Sequence, residues 1–374
     1  MKNSAALFRT RVRREPRFFV AAAEPAPQRP AYREVDLMQV WRKELCEMGK
    51  FKFDVAIGNP PYQENTNDSG NQGKPLYNLF LSEVKNLDPS NMCFIIPSKW
   101  FAGGMGLKQF RDDMMNDTHI SRMVDYTNAK DCFPDNSIGG GVCYFVRDKD
   151  YEGDCRFTNI RNGKETTIER PLNEFPVLVR YNAAISVLRK IKAKKERTFY
   201  DIVGPISPFN IPTTLHGSLT PIPDAVRVYY SKSVEYIPRK DITKGLDILD
   251  KYKVMLSQTS AEHAGEPNKS GKFNVLTQTM RVLEPGEGCS HSYLVIGPVE
   301  NKAQGVNMMN YLKTKFVRFL VLQAVSSIHL TMTTFSFVPI QDFSRGWTDA
   351  DLYEKYGITQ DEVAFIDSII NPMN

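Results

Sequence analysis

The chain contains no run of eighteen or more apolar residues, although hydrophobic residues make up 41% of its 374 positions. A transmembrane helix needs about 20 consecutive, mostly apolar residues, so the sequence predicts a protein without a membrane span. The longest apolar run near the end of the chain, 316–325, is interrupted by Arg318 and Gln323, as is typical of a buried helix. A chain of this length can form two domains, each with its own core.

Metal-ligand spacing is also missing from the sequence. Six cysteines are present, but none forms a C-x-x-C pair, and no histidine lies at ligand spacing from them. This pattern argues against a zinc site, and we expect no bound metal. Several cysteines lie inside apolar, strand-like runs such as 92–96. Buried free thiols of this kind indicate a reducing environment, so we expect a cytoplasmic protein.

The charge of the chain is only mildly positive, at +5, which permits a polyanionic partner without requiring one. Basic residues are concentrated at 189–197, where a solvated helix end and phosphate contact remain equal alternatives. Residues 1–35 hold seven arginines, one lysine and an Ala/Pro-rich stretch at 21–30. We therefore expect a disordered or atypical N-terminal extension over 1–35. A truncated gene or shifted start of the coding sequence would give the same composition.

Strand-like and helix-like patterns alternate from residue 35 onward. Apolar residues in 35–49 fit a short helix. The alternation that follows predicts an α/β sheet with crossover helices over 36–197. The predicted strands are 53–57, 92–96, 119–126, 141–147 and 154–160, and the predicted helices are 76–86, 107–116 and 181–193.

Prolines and glycines recur beyond residue 198, with short strand-like pieces such as 226–230 and 293–296 between them. This pattern of short strand-like pieces separated by prolines and glycines predicts a second, smaller α+β domain over 198–374. An amphipathic helix is predicted over 305–323, and a last helix over 360–370. Thr359 and Glu362 have the spacing of a capping box at the start of that last helix.

The sequence Asn59-Pro60-Pro61-Tyr62 directly follows the strand predicted at 53–57. The two prolines restrict the backbone to an extended shape, and ligands of open α/β sheets bind at the carboxyl ends of strands. The exocyclic amine of a nucleobase is a poor nucleophile, because its lone pair is delocalised into the ring. The Asn59 side-chain oxygen and a proline carbonyl can accept hydrogen bonds from such an amine and favour a tetrahedral nitrogen. Tyr62 offers a flat face to a base that has left the duplex.

The motif resembles that of the amino-group DNA methyltransferases, and the nearest likeness is to the adenine-specific modification enzymes of type II restriction systems. Segments 94–101, 131–145 and 292–357 are also similar, so the resemblance covers roughly residues 50–374. It implies a partial doubly wound, Rossmann-like methyltransferase sheet, which holds the N-P-P-Y half of the catalytic domain, followed by a target-recognition domain. It also implies transfer of a methyl group from S-adenosylmethionine to the 6-amino group of a flipped adenine.

The same resemblance places Phe133 on the face of the base opposite Tyr62, with core packing as the alternative role for this residue. It implies double-stranded DNA as a partner and a cognate restriction nuclease as another. Three basic or polar sets are candidate DNA contacts. They are Lys99, Arg227, Lys240, Lys272 and Arg281, the further basic Lys232, Arg239, Lys244 and Lys269, and the polar Gln258, Thr259, Asn274 and Gln278. A solvated surface charge is the alternative role of Lys99.

One feature of the family is not found in this sequence. These enzymes usually bind S-adenosylmethionine at a strand, glycine-rich turn and helix upstream of the motif, but here no glycine precedes Gly49. The glycines at 286–288 and 296–297 do not fit the pattern either, so the cofactor-binding residues stay unknown. The chain is then expected to be truncated, to need a second polypeptide for the cofactor half, or to act only as a DNA-binding specificity protein.

Three further functions are disfavoured. Glutamine methyltransferases share the motif but have no long domain after it, and cytosine-specific enzymes more often begin the motif with Ser or Asp than with Asn59. A nuclease would need paired carboxylates with a nearby lysine, and 247–251 reads better as an amphipathic surface turn.

Overall fold

The computed structural model describes residues 4–9, 18–25, 53–64, 73–101, 106–136, 138–262, 267–268, 271–325 and 328–373. The chain packs into two compact units, Met1–Asn182 and Ala183–Asn374. The helix predicted at 35–49, Cys46 and Lys269 lie outside the described residues.

The first unit is built on an eight-stranded sheet with the order β1-β2-β3-β4-β6-β5-β7-β8. Its strands are β1 (Ser4–Arg9), β2 (Phe18–Pro25), β3 (Val55–Gly58), β4 (Asn91–Pro97), β5 (Ile120–Tyr126), β6 (Val142–Asp148), β7 (Cys155–Arg161) and β8 (Lys164–Arg170), and its helices are α1 (Tyr77–Asn86) and α2 (Lys108–Met115). The predicted α/β class is confirmed. The sheet is mixed, because β6 runs antiparallel between β4 and β5.

The carboxyl ends of four strands lie at one edge of this sheet. β3 is parallel to β4, β5 is parallel to β7, and both β4 and β5 are antiparallel to β6. All four strands therefore point the same way, and β6 starts where they end. Val142, the first residue of β6, lies opposite both Pro97 and Tyr126. We call this side the carboxyl edge of the sheet.

The core of the first unit lies on one face of the sheet. Met92, Phe94 and Ile96 alternate along β4 and are buried, and they belong to one apolar cluster with Phe80 and Val84 of α1. The strand residues between them are only half-buried. This alternation is what places α1 across the sheet between β3 and β4.

Two segments of the first unit differ from expectation. Within 1–35, which was expected to be disordered or atypical, the described residues 4–9 and 18–25 form β1 and β2, which pair with each other, and β2 continues parallel to β3. Aromatic and β-branched residues at 18–20 favour strand structure. β8 was not predicted, because most of its side chains are polar and exposed. Its backbone nevertheless pairs with β7 along the whole length.

The second unit contains two three-stranded sheets, β10-β9-β13 and β12-β11-β14, which agrees with the predicted α+β class. Its strands are β9 (Ala225–Tyr229), β10 (Val234–Pro238), β11 (Tyr252–Ser257), β12 (Met280–Leu283), β13 (Glu287–Cys289) and β14 (Tyr293–Val299). Its helices are α3 (Asn182–Ala193), α4 (Leu246–Leu249), α5 (Lys302–Lys313), α6 (Lys315–Ala324), α7 (Asp349–Tyr356) and α8 (Gln360–Ile369). No helix in the described part of the chain is long and apolar enough to cross a membrane.

The helices of the second unit differ from the prediction in the position of the domain boundary and in the number of helices over 305–323. Nearly all of α3 packs in this unit, so the structural division falls at 182/183 rather than at 197/198. The single helix predicted over 305–323 is two helices, because the Thr314 hydroxyl accepts from the Val317 N–H and donates to the Tyr311 carbonyl. These bonds end α5 and begin α6. The capping box of α8 is confirmed, with Thr359 and Glu362 each bonded to the other's backbone N–H.

Candidate target-base site

The motif Asn59–Tyr62 begins immediately after Gly58, the last residue of β3, and so lies at the carboxyl edge. Asn59 is exposed, Pro60 is buried, and Tyr62 is half-buried. The Tyr62 carbonyl accepts a hydrogen bond from the Leu76 N–H at 3.2 Å, just before α1 begins. The motif is therefore held by β3 on one side and by the start of α1 on the other, while the Asn59 amide reaches solvent.

The hydroxyl of Tyr62 is buried and has no hydrogen-bond partner among the described residues. Burial raises the pKa of Tyr62 far above its ordinary value, and the nearby Cys143 and Cys132 thiols raise it further. Cys143 is the second residue of β6, and Cys132 lies in the loop that follows β5. The effect of both thiols shows that these two segments lie close to the motif tyrosine.

Phe133 is the next residue after Cys132, in the loop that follows β5, and is half-buried. Its N–H donates to the Ala129 carbonyl at 2.7 Å. The Asn128 side chain caps the same turn by accepting from the Lys130 N–H at 3.1 Å. Phe133 therefore lies in a capped turn after β5, and stacking of Phe133 on a base stays a prediction.

A buried ion pair near the carboxyl edge was not found from the sequence. Asp125, fully buried in β5, accepts two hydrogen bonds from the Arg180 guanidinium, from Nε at 2.6 Å and from Nη2 at 2.9 Å. The attraction of Asp125 outweighs the burial of Arg180, so the pKa of Arg180 is raised. The two residues are 55 positions apart, and neither belongs to a motif that a single sequence reveals.

Two glycines shape the loop before β6. Gly141 has φ +80°, and a Cβ there would lie 2.2 Å from the Tyr126 carbonyl oxygen and 2.4 Å from Arg180 Nη2. Gly140, with φ +82°, packs against the methylene chain of Lys99. Lys99 itself is exposed and follows β4 directly. A cation is thus presented at the same sheet edge as the motif.

The other predicted DNA contacts lie in the second unit, where the structure brings two of them together. The guanidinium carbons of Arg227 and Arg281 lie 5.4 and 4.7 Å from the ring centroid of Tyr229. Both arginines are exposed, and Arg227 also pairs with Glu287 at 3.3 Å. Lys240 is exposed as well. Arg227 and Arg281 therefore form a candidate polyanion-binding surface.

Other residues proposed as DNA contacts have internal partners. The amine of Lys272 donates to the Asp367 carbonyl at 2.7 Å, and the Asn274 side chain accepts from Asn371 at 3.0 Å. Arg239 forms an ion pair with Asp250. In the basic segment 189–197, Lys190 bonds to Glu362 at 2.6 Å. Their polar groups already form hydrogen bonds or ion pairs within the fold, so they are less available to contact DNA.

Comparison with known proteins extends these observations. Residues 24–133 match the family described as Eco57I restriction-modification methylase. The matched residues all lie in the first unit. They contain the motif Asn59–Tyr62 and end at Phe133.

The chain is also similar to a curated protein and to solved structures. An uncharacterized adenine-specific methylase of Mycoplasma pneumoniae is 33% identical over 149 residues, which cover 38% of this chain and 35% of the relative. The chain thus spans about a third of that relative's length. The DNA-bound type IIL restriction-modification enzyme MmeI aligns over 81% of this chain and 47% of its own, with 9% identity and a TM-score of 0.40. The type IIG restriction endonuclease BpuSI aligns over 84% and 50%, with 14% identity and a TM-score of 0.35.

Two glycine groups considered for the methyl donor lie between or within strands of the second unit. The glycines at 286–288 lead from β12 into β13, and Gly297 lies within β14, so neither group opens a helix. Asp54, just before β3, is exposed.

Proposed function

We propose that this chain binds double-stranded DNA and holds a flipped adenine at Asn59–Tyr62, as the target-base part of an S-adenosylmethionine-dependent adenine methyltransferase in a restriction-modification system. The observation that carries the proposal is the exposed Asn59 at the carboxyl edge, with half-buried Tyr62 next to the Cys132–Phe133 loop. The family match over 24–133 and the adenine-specific relative support it.

The proposed chemistry concerns the 6-amino group of the base. The Asn59 side-chain oxygen and a carbonyl of Pro60 or Pro61 accept its two hydrogens, which directs the nitrogen lone pair away from the ring. Because the Tyr62 hydroxyl is buried, this side chain contributes the face of its ring to the base. Phe133 supplies the second face. S-adenosylmethionine, when bound, supplies the methyl group.

Phosphate contacts are assigned to the exposed Lys99, Arg227, Lys240 and Arg281. Such contacts give most of the affinity for DNA and make it depend on salt. A smaller contribution is expected from Lys272, because its amine is bonded to the Asp367 carbonyl.

The alternative is a catalytically incompetent protein that only binds DNA and confers specificity. The same pocket would then hold a base, and the methyl donor would never reach it. A second polypeptide that supplies the cofactor half would distinguish these alternatives. Its addition would restore methyl transfer if the chain is part of a methyltransferase, but not if the chain only binds DNA. A cognate nuclease is a further proposed partner.

The test begins with a pool of DNA duplexes that share constant arms and a randomised centre. Duplexes recovered with the full chain define a site, and 2-aminopurine then replaces each adenine of that site in turn. This base becomes strongly fluorescent when it leaves the base stack, so the fluorescence of one substituted position should rise on binding. Labelled S-adenosylmethionine, with and without the proteins encoded beside this chain, then measures methyl transfer.

Asn59→Ala should abolish methyl transfer and leave DNA affinity within about twofold, because phosphate contacts provide most of that affinity. Asn86→Ala is the matched control, since Asn86 is also exposed and ends α1 at the opposite edge. Transfer that survives in Asn59→Ala would sink the assigned role. Base flipping without transfer under every condition would favour the DNA-binding alternative.

A further inference from the structure

The carboxylate of Asp125 joins the segments that surround the proposed base pocket. Besides the two bonds from Arg180, it accepts from Ser98 Oγ at 2.7 Å and from Asn159 Nδ2 at 3.1 Å. Ser98 directly follows β4, Asp125 lies near the end of β5, and Asn159 lies near the end of β7. One buried anion therefore ties the carboxyl ends of three strands to the segment that precedes α3.

The Arg180 side of this network reaches the Phe133 loop. Arg180 Nη2 also donates to the Tyr126 carbonyl at 3.2 Å, and Tyr126 is the last residue of β5. The loop that carries Phe133 starts at the next residue. Gly141 lies against the same carbonyl and the same guanidinium, so a larger residue there would displace both. The guanidinium thus fixes the point from which the Phe133 loop departs.

The Ser98 side of the network reaches the motif tyrosine. The Ser98 side chain also bonds the fully buried Cys143 thiol, and burial raises the pKa of that thiol to about 12. Cys143 in turn lies close to the Tyr62 hydroxyl. The bonded network therefore runs from Arg180 through Asp125 to Ser98 and Cys143, and the Cys143 thiol is near enough to affect the pKa of Tyr62.

We propose that Asp125 and Arg180 are positioning residues that set the separation between Tyr62 and the Phe133 loop, and so decide whether a flipped adenine fits between them. This inference rests on the proposed function. A planar guanidinium that makes two bonds to one carboxylate fixes direction as well as distance, which a flexible lysine does not. Apolar residues of the same volume would fill the space without the desolvation of two charges.

The test uses the full chain, the recovered duplex and 2-aminopurine at the responding position. Asp125→Asn and Arg180→Lys should keep DNA affinity within about twofold, because phosphate contacts lie elsewhere. Their 2-aminopurine signal should fall about tenfold or more, since a misplacement of about 1 Å in a preorganised site can cost about 100-fold. Arg180→Lys keeps the charge and loses the planar fork, so it separates geometry from charge.

Asp117→Asn is the matched control. Asp117 is also a largely buried carboxylate of this sheet, bonded to Lys85 at 2.7 Å and Arg147 at 2.9 Å, but it lies at the opposite edge. Its loss should lower stability and spare the fluorescence signal of the folded fraction, which near-ultraviolet circular dichroism measures. Should Asp125→Asn fail to fold, Ser98→Ala removes the link to Cys143 without leaving a charge unpaired, and it should also lower the signal.

The outcomes separate the two claims. A wild-type signal in Asp125→Asn or Arg180→Lys, or an equal fall in Asp117→Asn, would overturn the positioning role while the proposed function stands. If the wild-type chain gives no signal at any adenine, the proposed function fails, and with it the site that these residues would position.

Discussion

Tyr62 offers the sharpest test of the base pocket, because its ring and its hydroxyl make separable predictions. The ring is proposed to stack on the flipped adenine, whereas the hydroxyl is buried and unpartnered among the described residues. Tyr62→Ala removes both groups, and Tyr62→Phe removes only the hydroxyl. If stacking is the role of this residue, the two variants must behave differently.

The expected magnitudes follow from the surroundings of the side chain. Stacking of one base on an aromatic ring contributes about 1–3 kcal/mol, which corresponds to a roughly 5- to 150-fold loss of flipped base in Tyr62→Ala. A buried hydroxyl without a partner costs about 1–3 kcal/mol, so Tyr62→Phe should be at least as stable as wild type. Its flipped-base signal should stay within about twofold of wild type, because the ring face is kept.

The assay is the fluorescence of 2-aminopurine at the responding position, with DNA affinity measured on the same duplex. Tyr200→Ala is the control for loss of a tyrosine, because Tyr200 is 44% exposed and lies in the second unit. An equal loss in Tyr62→Phe and Tyr62→Ala would show that the hydroxyl makes the contact. Full signal in Tyr62→Ala would refute stacking altogether.

Three further outcomes are expected. Gly141→Ala should lower the free energy of unfolding in urea by roughly 2–5 kcal/mol, because of strain at positive φ and the clash with the Tyr126 carbonyl. Gly163 also has positive φ but lies in open space, so Gly163→Ala should cost only about 1–2 kcal/mol. Equal losses in the two variants would contradict the close contact at Gly141. Burial lowers the pKa of Lys253 from 10.5 to about 8, so the unfolded chain holds a proton that the folded one has lost, and stability should rise between pH 8 and 10.5 by up to about 3 kcal/mol. The difference in unfolding free energy between wild type and Lys253→Met across this window measures that rise, and a flat difference would refute it. Lys99→Ala should reduce the slope of log affinity against log salt concentration by about 1. The Lys149 amine pairs with Asp88, so Lys149→Ala should leave this slope unchanged. The opposite pattern would show that DNA does not contact Lys99 at the carboxyl edge.

The elements that could be read from the sequence are those specified by neighbours along the chain. The short apolar runs at 53–57 and 92–96 predicted β3 and β4, because runs of this length bounded by turn residues are typical of buried strands. The capping box of Thr359 and Glu362 was predicted because both partners lie within one helical turn. The motif loop after β3 also follows from local order, because its prolines and the preceding strand are adjacent.

What the tertiary structure decided depends on residues distant in sequence. β8 exists because β7 pairs with it, not because its own side chains are apolar. Arg227 and Arg281 converge on Tyr229 only through the sheets of the second unit. The bonds from Ser98, Asn159 and Arg180 to Asp125 cannot be inferred from any local pattern, because a buried carboxylate selects its partners by direction and distance in the folded core. The sequence alone therefore predicted which residues could meet a base, and the fold decided which buried charges lie near the same edge of the sheet.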